Sequence, residues 1–349
     1  MKKYFILLMA VYSHQSFCQT FDNQRIANEF KTNFNSYLGA YLLPFTDGFG
    51  AANGMLWQVP HKSGAKFNIN LSTFVAGSLL PASYNSFDFN DLTKVNFELK
   101  NPSDNILPTL LGGESTNVMR YFITDDDGNR IYDPVVNDFV SVDVEALPGL
   151  NIPTAVVPTA GVQLGLWLPF STGVAFRYLP TTRFGSGELG QFGIGIMHDV
   201  ARWFNLPLEI KLGFNHQSLK LTVDNPIEDN PNPNQFSFKS TSNAFDLTIG
   251  KYFYIIKPYF QISRISYSNE LLLSGKFNYE FDEFPGIPPS TANQIKFEIE
   301  DPIDIKSSNS MINYGFGLFI NLGIFYIQGQ YMFGSFTNAG VAAGVKIGF

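Results

Sequence analysis

This sequence of 349 residues has little charge, a single cysteine and no long apolar run after its N-terminal segment. Charged residues make up only 15% of the chain, whereas soluble domains carry about 25%. A helix that crosses a bilayer needs about 20 mostly apolar residues, so the missing run argues against a helical membrane protein. The net charge of −7 argues against a nucleic-acid partner.

The N-terminus has the features of a secretory signal peptide. The pair Lys2-Lys3 precedes the apolar residues 4–12, and cleavage is expected after Cys18. Lipid attachment at Cys18 is the alternative, which the bulky Phe17 disfavours. Because Cys18 is the only cysteine, the mature chain would have no disulfide and no sulfur ligand for a metal. We expect neither a cofactor nor a bound metal.

Aromatic residues and glycine are abundant instead. The chain contains 35 Phe, 16 Tyr and 30 Gly, and its mean hydropathy is 0.00. Strands with one face towards lipid and the other towards a polar lumen have this composition. Large aromatics also gather near the ends of predicted strands, as an interfacial girdle would, at Tyr178, Trp203, Tyr252, Phe253, Tyr254, Tyr331 and Phe333.

Apolar and polar residues alternate with period two in many segments, most clearly in the C-terminal third. Within residues 311–323, one face carries Tyr314, Phe316, Leu318, Ile320 and Leu322. A helix would mix the two faces, so strands are predicted. A soluble β-sandwich also alternates, but its outer face would carry Lys, Glu and Thr rather than Gly, Asn, Gln and Ser. We therefore predict an all-β protein, a transmembrane antiparallel β-barrel.

About fourteen strands are predicted, with twelve as the second choice, because bacterial single-chain barrels have even strand numbers. Their centres lie near Met55, Leu71, Asn96, Leu164, Phe176, Ile194, Leu212, Phe245, Phe260, Phe277, Phe297, Phe316, Ile327 and Val345. The Pro-rich loop 282–293 does not fit this count, because it falls at the periplasmic end, where turns are short.

Two segments lack the alternation. Residues 22–38 have apolar side chains at helical spacing and predict a short amphipathic helix. Residues 101–158 are rich in Pro, Gly and Asp and predict a long extracellular or plug insertion. The predicted organisation is a signal peptide at 1–18, a helical or plug segment at 19–47 and the barrel at 48–349.

Isolated charges on the predicted polar faces are candidates for the lining of the lumen. They are Lys66, Arg177, Glu209, Lys211, Asp246, Lys257, Lys276 and Lys346. Their simplest role is mutual neutralisation inside a wet or plugged barrel. The alternative role is a pore lining that tunes selectivity.

Two polar motifs could carry chemistry. Residues 125–129 suggest a calcium loop, but EF-hand spacing fails because its first position falls on Ile123, and Asp127-Gly128 predicts a hairpin instead. His198 and Asp199 suggest part of a hydrolytic site, but neighbours in a strand point to opposite faces. We therefore predict a strand end at this pair and no enzymatic activity.

Several short motifs carry a resemblance to a known group. They are Leu43-Pro44-Phe45 with Gly48-Phe49-Gly50, Pro60-His61-Lys62, Leu107-Pro108-Thr109 with Gly112-Gly113, Arg177-Tyr178-Leu179-Pro180 and Gly193-Ile194-Gly195-Ile196-Met197-His198-Asp199. With them the chain resembles an uncharacterised family of outer-membrane proteins common in Bacteroidetes-type bacteria, which implies no catalytic residues. Its layout is remotely similar to long-chain fatty-acid transporters of the FadL type, although their N-terminal Asn-Pro motif is absent. The terminal Phe349 resembles the signal read by the barrel-assembly machinery.

The predicted function is that of an outer-membrane β-barrel in a Gram-negative bacterium. It would passively transport or bind a small molecule, with a hydrophobic one as the first candidate. The alternative is a structural or interaction barrel with a plugged lumen and residues 101–158 as its contact surface. The expected partners are outer-membrane lipid, the barrel-assembly machinery and a small hydrophobic ligand.

Overall fold

The computed structural model describes residues 22–61, 67–134, 137–151, 156–227, 230–280 and 296–348. The predicted signal peptide lies outside these residues. Ten antiparallel strands form a closed β-barrel, which confirms the predicted architecture. Numbered in chain order with the shorter strands, they are β1 (Asn68–Leu79), β9 (Val156–Leu168), β10 (Thr172–Phe184), β11 (Gly187–Asp199), β12 (Glu209–Asp224), β13 (Asn234–Gly250), β14 (Ile256–Glu280), β16 (Ile303–Leu322), β17 (Phe325–Phe333) and β18 (Thr337–Gly348). Pairing of β1 with β18 closes the barrel.

The predicted count of fourteen or twelve strands is wrong, because local alternation cannot tell a barrel strand from other extended chain. Four predicted centres account for the difference: Met55, Asn96, Phe277 and Phe297. Met55 follows the N-terminal helix, and Asn96 precedes a three-residue strand outside the barrel. Phe277 extends β14, a single strand of 25 residues. Phe297 lies on β15 (Lys296–Glu300), which pairs with the far end of β14.

With ten strands, the long connections fall at one end of the barrel. Links at residues 169–171, 200–208, 251–255 and 323–324 join strands at what we call the short-link end. The opposite, long-loop end carries the connection 80–155. The strands that flank the Pro-rich loop 282–293 also place its two ends there, although the loop lies outside the described residues. The misfit of this loop with the fourteen-strand count therefore disappears.

Near the short-link end, outward side chains of the barrel are apolar and inward ones are polar. On β16, Ile312, Phe316 and Leu322 are exposed on the outside, whereas Asn313 is fully buried. This outward run from Ile312 to Leu322 covers about 25 Å of height, because its ten steps rise about 3.3 Å each on strands tilted about 40°. We call the outward apolar zone the belt. Soluble proteins bury apolar side chains and expose polar ones, so the belt has the opposite arrangement. This arrangement is typical of strands that face lipid.

The polarity reverses near the long-loop end. There Leu219, Phe238 and Leu271 point inward and are buried, while the adjacent Lys220 and Lys239 are exposed on the outside. The inward residues form one hydrophobic core with the N-terminal helix and parts of the connection 80–155. This end of the barrel therefore has the arrangement of a soluble protein.

The N-terminal helix α1 spans Asn23–Asn53. It begins where the side chain of Asp22 accepts a hydrogen bond from the backbone N–H of Arg25 at 3.0 Å. One face buries large side chains in the core of the long-loop end, among them Ile26, Tyr37, Leu38 and Tyr41. Among the described residues, no helix is long and apolar enough to cross a bilayer.

The helix is longer than the segment 22–38 that its spacing predicted. Pro44 and several glycines disfavour a helix in isolation, which is why the prediction stopped early. Packing against the barrel wall overrides that preference. At Gly50, a Cβ atom would lie 2.3 Å from the ring of Tyr267, so only glycine lets the helix lie so close. The first barrel strand consequently begins at Asn68 rather than at residue 48.

The connection between β1 and β9 forms a cap over the long-loop end. It spans residues 80–155 rather than the predicted 101–158, and its described part contains seven short strands instead of an irregular loop. They are β2 (Ser86–Asp88), β3 (Phe97–Leu99), β4 (Ile106–Pro108), β5 (Val118–Phe122), β6 (Tyr132–Asp133), β7 (Asp138–Phe139) and β8 (Ser141–Glu145). The sheet β3-β5-β8 packs on α1. The predicted hairpin is confirmed, because Thr124 pairs with Arg130 around Gly128.

Candidate functional site: the plugged lumen and the cap cavity

The lumen is filled by residues 46–61, which we call the plug. Helix α1 ends inside the barrel at Asn53, and residues 54–61 continue towards the short-link end. Every residue from 50 to 61 is buried. An irregular segment has no helix or sheet partners for its backbone, so other groups must supply the hydrogen bonds. Side chains of the barrel wall provide several of them.

Amide and hydroxyl groups of the wall bind the upper plug. The side-chain oxygen of Asn53 accepts hydrogen bonds from Gln217 at 2.8 Å and from Thr159 at 3.1 Å. The backbone N–H of Leu56 donates to the side-chain oxygen of Gln330 at 2.8 Å. Leu56 has a φ of 61°, a value that residues other than glycine rarely adopt. The hydrogen bond that Leu56 donates to Gln330 helps hold the chain in this turn.

The guanidinium of Arg177 occupies the middle of the lumen between two aromatic rings. Its carbon lies 3.9 Å from the ring centre of Trp57 and 4.0 Å from that of Phe74. Space for the indole comes from Gly193, where a Cβ atom would lie 2.7 Å from the Trp57 ring. A plug residue and two wall residues therefore form one stacked group.

Arg177 also hydrogen-bonds the plug and the wall. Its Nε donates to Gln163 at 2.9 Å, and Nη1 donates to Gln217 at 3.0 Å. Nη2 donates to the backbone carbonyl of Met55 at 2.6 Å. The side chain is fully buried, and a buried charge is tolerated only when such partners surround it. Arg177 is thus a central anchor of the plug.

A second buried charge, Asp246, lies lower in the lumen. Its carboxylate accepts hydrogen bonds from Asn215 at 2.9 Å and from Gln261 at 3.0 Å. Nearby, the side-chain amide of Gln58 in the plug donates to the hydroxyl of Thr248 at 2.9 Å. These polar side chains inside the barrel therefore bind each other and the plug.

An ionic cluster lies at the lower end of the plug, and we call it the Glu209 cluster. One carboxylate oxygen of Glu209 lies 3.0 Å from His61 Nε2. The other lies 3.1 Å from Lys211 Nζ and 3.0 Å from Lys257 Nζ. The ring of His61 also stacks on Trp167, with 4.1 Å between ring centres. A single carboxylate therefore links the end of the plug to two lysines of the wall.

The structure places most of the predicted lumen charges inside the barrel. Arg177, Glu209, Lys211, Asp246 and Lys257 take part in the contacts above. Lys346 also points inward, and its ammonium donates to Asn321. Lys66 and Phe349 lie outside the described residues.

Lys276 lies elsewhere, in contrast to the prediction. Its side chain is exposed on the outside of β14 and pairs with Glu298 of β15 at 2.8 Å. The inward positions of this part of β14 are the apolar Leu273 and Phe277. Because polarity reverses near the long-loop end, the polar face that predicted a lumen is the solvent face.

One residue of the predicted aromatic girdle does not face the outside of the barrel. Trp203, Phe253 and Tyr254 are exposed at the short-link end. Tyr252, by contrast, points into the barrel and its hydroxyl donates to the backbone carbonyl of His61 at 2.7 Å. It therefore fixes the end of the plug rather than facing the outside.

His198 and Asp199 make separate contacts. β11 ends at Asp199, as predicted, and its carboxylate accepts hydrogen bonds from the backbone N–H groups of Ala201 and Ile210. His198 Nδ1 lies 3.0 Å from the hydroxyl of Thr172. Across the described ranges, no group of three or more His, Cys, Asp or Glu residues is arranged to hold a metal ion.

A small apolar cavity lies between α1 and the cap, and we call it the cap cavity. Its volume is about 90 Å³. Most of its lining is hydrocarbon or aromatic, from Phe30, Phe34, Tyr37, Phe97, Met119, Tyr121, Val144 and Leu147. The two tyrosine hydroxyls have partners, since that of Tyr121 donates to Glu29 and that of Tyr37 accepts from the backbone N–H of Leu147. Burial raises the pKa of Tyr37 to about 12, which keeps it neutral at ordinary pH.

The sequence predicted a helical or plug segment at 19–47, but it did not place the plug at residues 46–61 and gave no sign of the cap cavity. Residues 54–61 contain little charge and no alternation, and the spacing gives no sign that they enter the lumen. Gln217 and Gln330 lie on predicted polar faces, but a polar face does not specify its partner. The cap cavity depends on residues from α1 and the cap that are distant in sequence.

Solved structures with some likeness to this chain include a transporter and a porin. The toluene transporter TbuX of Ralstonia pickettii is 6% identical, with a TM-score of 0.20, over 86% of this chain and 92% of that one. OccAB3 of Acinetobacter baumannii is 7% identical, with a TM-score of 0.15, over 82% and 100%. A BenF-like porin of Pseudomonas fluorescens Pf-5 is 8% identical, with a TM-score of 0.13, over 82% and 99%. TM-scores this low carry no argument about the chain.

Comparison with curated proteins finds no match. A family model, by contrast, matches the sequence over residues 1–349 and describes a family of unknown function. The predicted resemblance to an uncharacterised family is confirmed to that extent. The chain belongs to the family of unknown function DUF6588.

Proposed function

We propose that this chain is a β-barrel of the Gram-negative outer membrane that binds a small hydrophobic molecule and lets it pass when the plug moves. The belt supports the location, because apolar side chains outside and polar ones inside suit a wall between lipid and lumen. Closure supports it too, since all backbone groups of a barrel in lipid must be paired.

The two ends of the barrel suggest its orientation. Short turns are typical of the periplasmic side and long loops of the external side. The exposed Trp203 and Tyr254 at the short-link end suit an interfacial anchor. The cap would then face the outside of the cell, where a ligand would first meet the protein.

The cap cavity is the observation that supports a hydrophobic ligand. An apolar cavity of about 150 Å³ binds benzene or xenon and stays free of water. The cap cavity, at about 90 Å³, is smaller than this benchmark and is of a size for a short alkyl group or one edge of an aromatic ring. Its lining supports a hydrophobic ligand, in line with the predicted remote similarity to FadL-type transporters.

The plug requires that passage be gated. Residues 50–61 are buried throughout, so the described state is closed. The same observation favours a second candidate, a structural barrel that never opens. The dense contacts of Arg177 and the Glu209 cluster would then serve stability alone.

The proposal includes no enzymatic activity. This is supported by the placement of His198 and Asp199, whose polar atoms serve Thr172 and the backbone after β11. A hydrolytic site would need the base beside a nucleophile and an orienting group.

Ligand binding can be tested by saturation-transfer NMR with fluorobenzene on the full-length protein in deuterated detergent. Met119→Trp fills the cap cavity, and Ile249→Trp adds the same ring to the exposed outer wall as a control. We expect transfer to fluorobenzene in the wild type and in Ile249→Trp, and its loss in Met119→Trp. Equal signals from all three proteins, or none from the wild type, would contradict a ligand site in the cap.

A further inference from the structure

Two lysines face each other on the outer wall of the barrel. Lys220 of β12 and Lys239 of β13 are direct partners in the strand register, and both are exposed on the outside. Side chains at such positions start about 5 Å apart, and like charges there destabilise the sheet. Among the described residues, neither ammonium lies within 4.0 Å of a carboxylate. The pair therefore leaves two neighbouring positive charges for an external anion.

The neighbouring strands continue this row with charges of both signs. Lys239 faces Glu270 across the register, and Glu270 faces Lys306. Glu270 lies 4.0 Å from the ammonium of Lys306, which is also 3.4 Å from Asp304. This row of side chains, from Lys220 to Lys306, thus contains three lysines and one glutamate.

The height of the pair matches the edge of the belt. Lys220 faces Gly190 of β11 across the register, and the next outward residue towards the short-link end is Phe192, which is exposed. Two residues of tilted strand correspond to about 5 Å of height. On β12 and β13, uncharged polar groups such as Ser218 and Thr241 lie just below the lysines. The pair would therefore lie where lipid headgroups begin.

A depression in the outer wall adjoins Lys220. Its volume is about 380 Å³, and its lining divides by chemistry. Tyr178 and Phe192 form an aromatic part, whereas Thr181, Ser218 and Thr222 contribute hydroxyls close to Lys220. Glu188 also lines it, but this carboxylate is paired with Arg183. A molecule with an apolar chain and an anionic head would fit both parts.

We infer that this surface binds a phosphate-bearing lipid of the outer leaflet. The phosphate would lie between Lys220 and Lys239, and an acyl chain would follow Tyr178 and Phe192 down the belt. Ammonium–phosphate pairs are charge-assisted hydrogen bonds, so the phosphate also removes the repulsion between the lysines. The inference rests on the proposed location in a membrane.

The test is native mass spectrometry of the full-length protein in a non-ionic detergent, titrated with dioleoyl phosphatidic acid. The double variant Lys220→Gln with Lys239→Gln should weaken binding at least about tenfold, because two charge-assisted contacts are lost. Lys251→Gln, an exposed lysine at the short-link end, is the matched control and should bind like the wild type. Dioleoyl phosphatidylcholine should bind all variants weakly and equally.

Three outcomes would overturn the inference: an unchanged affinity of the double variant, equal binding of phosphatidylcholine, or full displacement by inorganic phosphate at equal concentration. The last would identify a free anion site rather than a lipid site. Flotation with phosphatidylcholine vesicles separates this failure from that of the proposed function. A double variant that inserts into vesicles but keeps its affinity contradicts only the lipid site, whereas a wild type that does not insert contradicts the membrane location.

Discussion

The guanidinium carbon of Arg177 lies 3.9 Å from the ring centre of Trp57, so a residue of the wall and a residue of the plug share the middle of the lumen. The same guanidinium donates to the carbonyl of Met55. Because Arg177 is fully buried, water does not compete for these contacts. Closure of the lumen and stability of the barrel therefore depend on the same side chain.

Replacing Arg177 by Gln should loosen the plug. Glutamine keeps amide donors but loses the charge and the stacking on two rings, so we expect the free energy of unfolding to fall by about 2–4 kcal/mol. Planar-bilayer recordings should show current steps that the wild type lacks. Arg264→Gln, on the exposed face of β14, is the matched control and should leave both measurements unchanged. Unaltered closure in Arg177→Gln would mean that the plug is held by other contacts.

Replacing Glu209 by Gln should destabilise the lower end of the plug. Lys211 and Lys257 would remain buried without a carboxylate, and breaking a buried ion pair costs about 3–5 kcal/mol. Urea unfolding in vesicles measures the loss. Glu188→Gln removes a carboxylate whose partner Arg183 is largely exposed, and it should cost under about 1 kcal/mol. Similar losses in the two variants would show that the Glu209 cluster is no stronger than a surface ion pair.

Replacing Gly50 by Ala should destabilise the protein although alanine is the better helix former. The new Cβ atom would lie 2.3 Å from the ring of Tyr267, and such overpacking costs about 1–3 kcal/mol. Gly329→Ala is the matched control, since no atom lies within 4 Å of its Cβ position. The midpoint of thermal unfolding should fall for Gly50→Ala alone. A rise in that midpoint would show that helix propensity outweighs the close packing.

The cap should lose stability in acid through Asp143. Hydrogen bonds from Arg120 hold the pKa of this carboxyl below its ordinary value. A lowered pKa in the folded state means that the stabilisation is complete above the unfolded pKa and is lost as pH falls through the folded one. Because the group is partly exposed, the effect should stay under about 1 kcal/mol. The protection factors of β5 and β8 amides, which compare their hydrogen exchange with that of an unstructured peptide at the same pH, should therefore fall below about pH 4.

Asp143→Asn provides the control for this pH dependence. Its protection factors in β5 and β8 should be lower than those of the wild type at neutral pH and should change little further in acid. Asp127→Asn, in the exposed turn of the same cap, should keep the wild-type profile. An acid response that survives in Asp143→Asn would assign the titration to another group.

Period-two alternation was sufficient to predict a barrel, and residues 312–322 of β16 follow it. The strand number was not predictable in the same way. Met55 and Phe277 are predicted strand centres, but the first lies in the plug and the second extends an existing strand. Whether a segment joins the barrel depends on its pairing partners, which are distant in sequence.

For the candidate site, the sequence predicted several charged residues of the lumen but not the groups that they contact. Arg177, Glu209 and Lys257 were recognisable as isolated charges on polar faces, because a barrel interior is polar. Their partners were not, since Trp57, Met55 and His61 belong to a segment without periodicity. Lys276 shows the limit of the same rule: beyond the belt, polar side chains face water outside the barrel.

The sequence by itself determined that this chain forms antiparallel strands with one apolar face, because side-chain direction alternates along any strand whatever its surroundings. The tertiary structure alone decided that ten strands close the barrel, that residues 46–61 fill it and that its polarity reverses towards the cap. These features depend on which surface each face meets, whether lipid, plug or water. That choice is made by contacts between residues far apart in the chain, which no local pattern records.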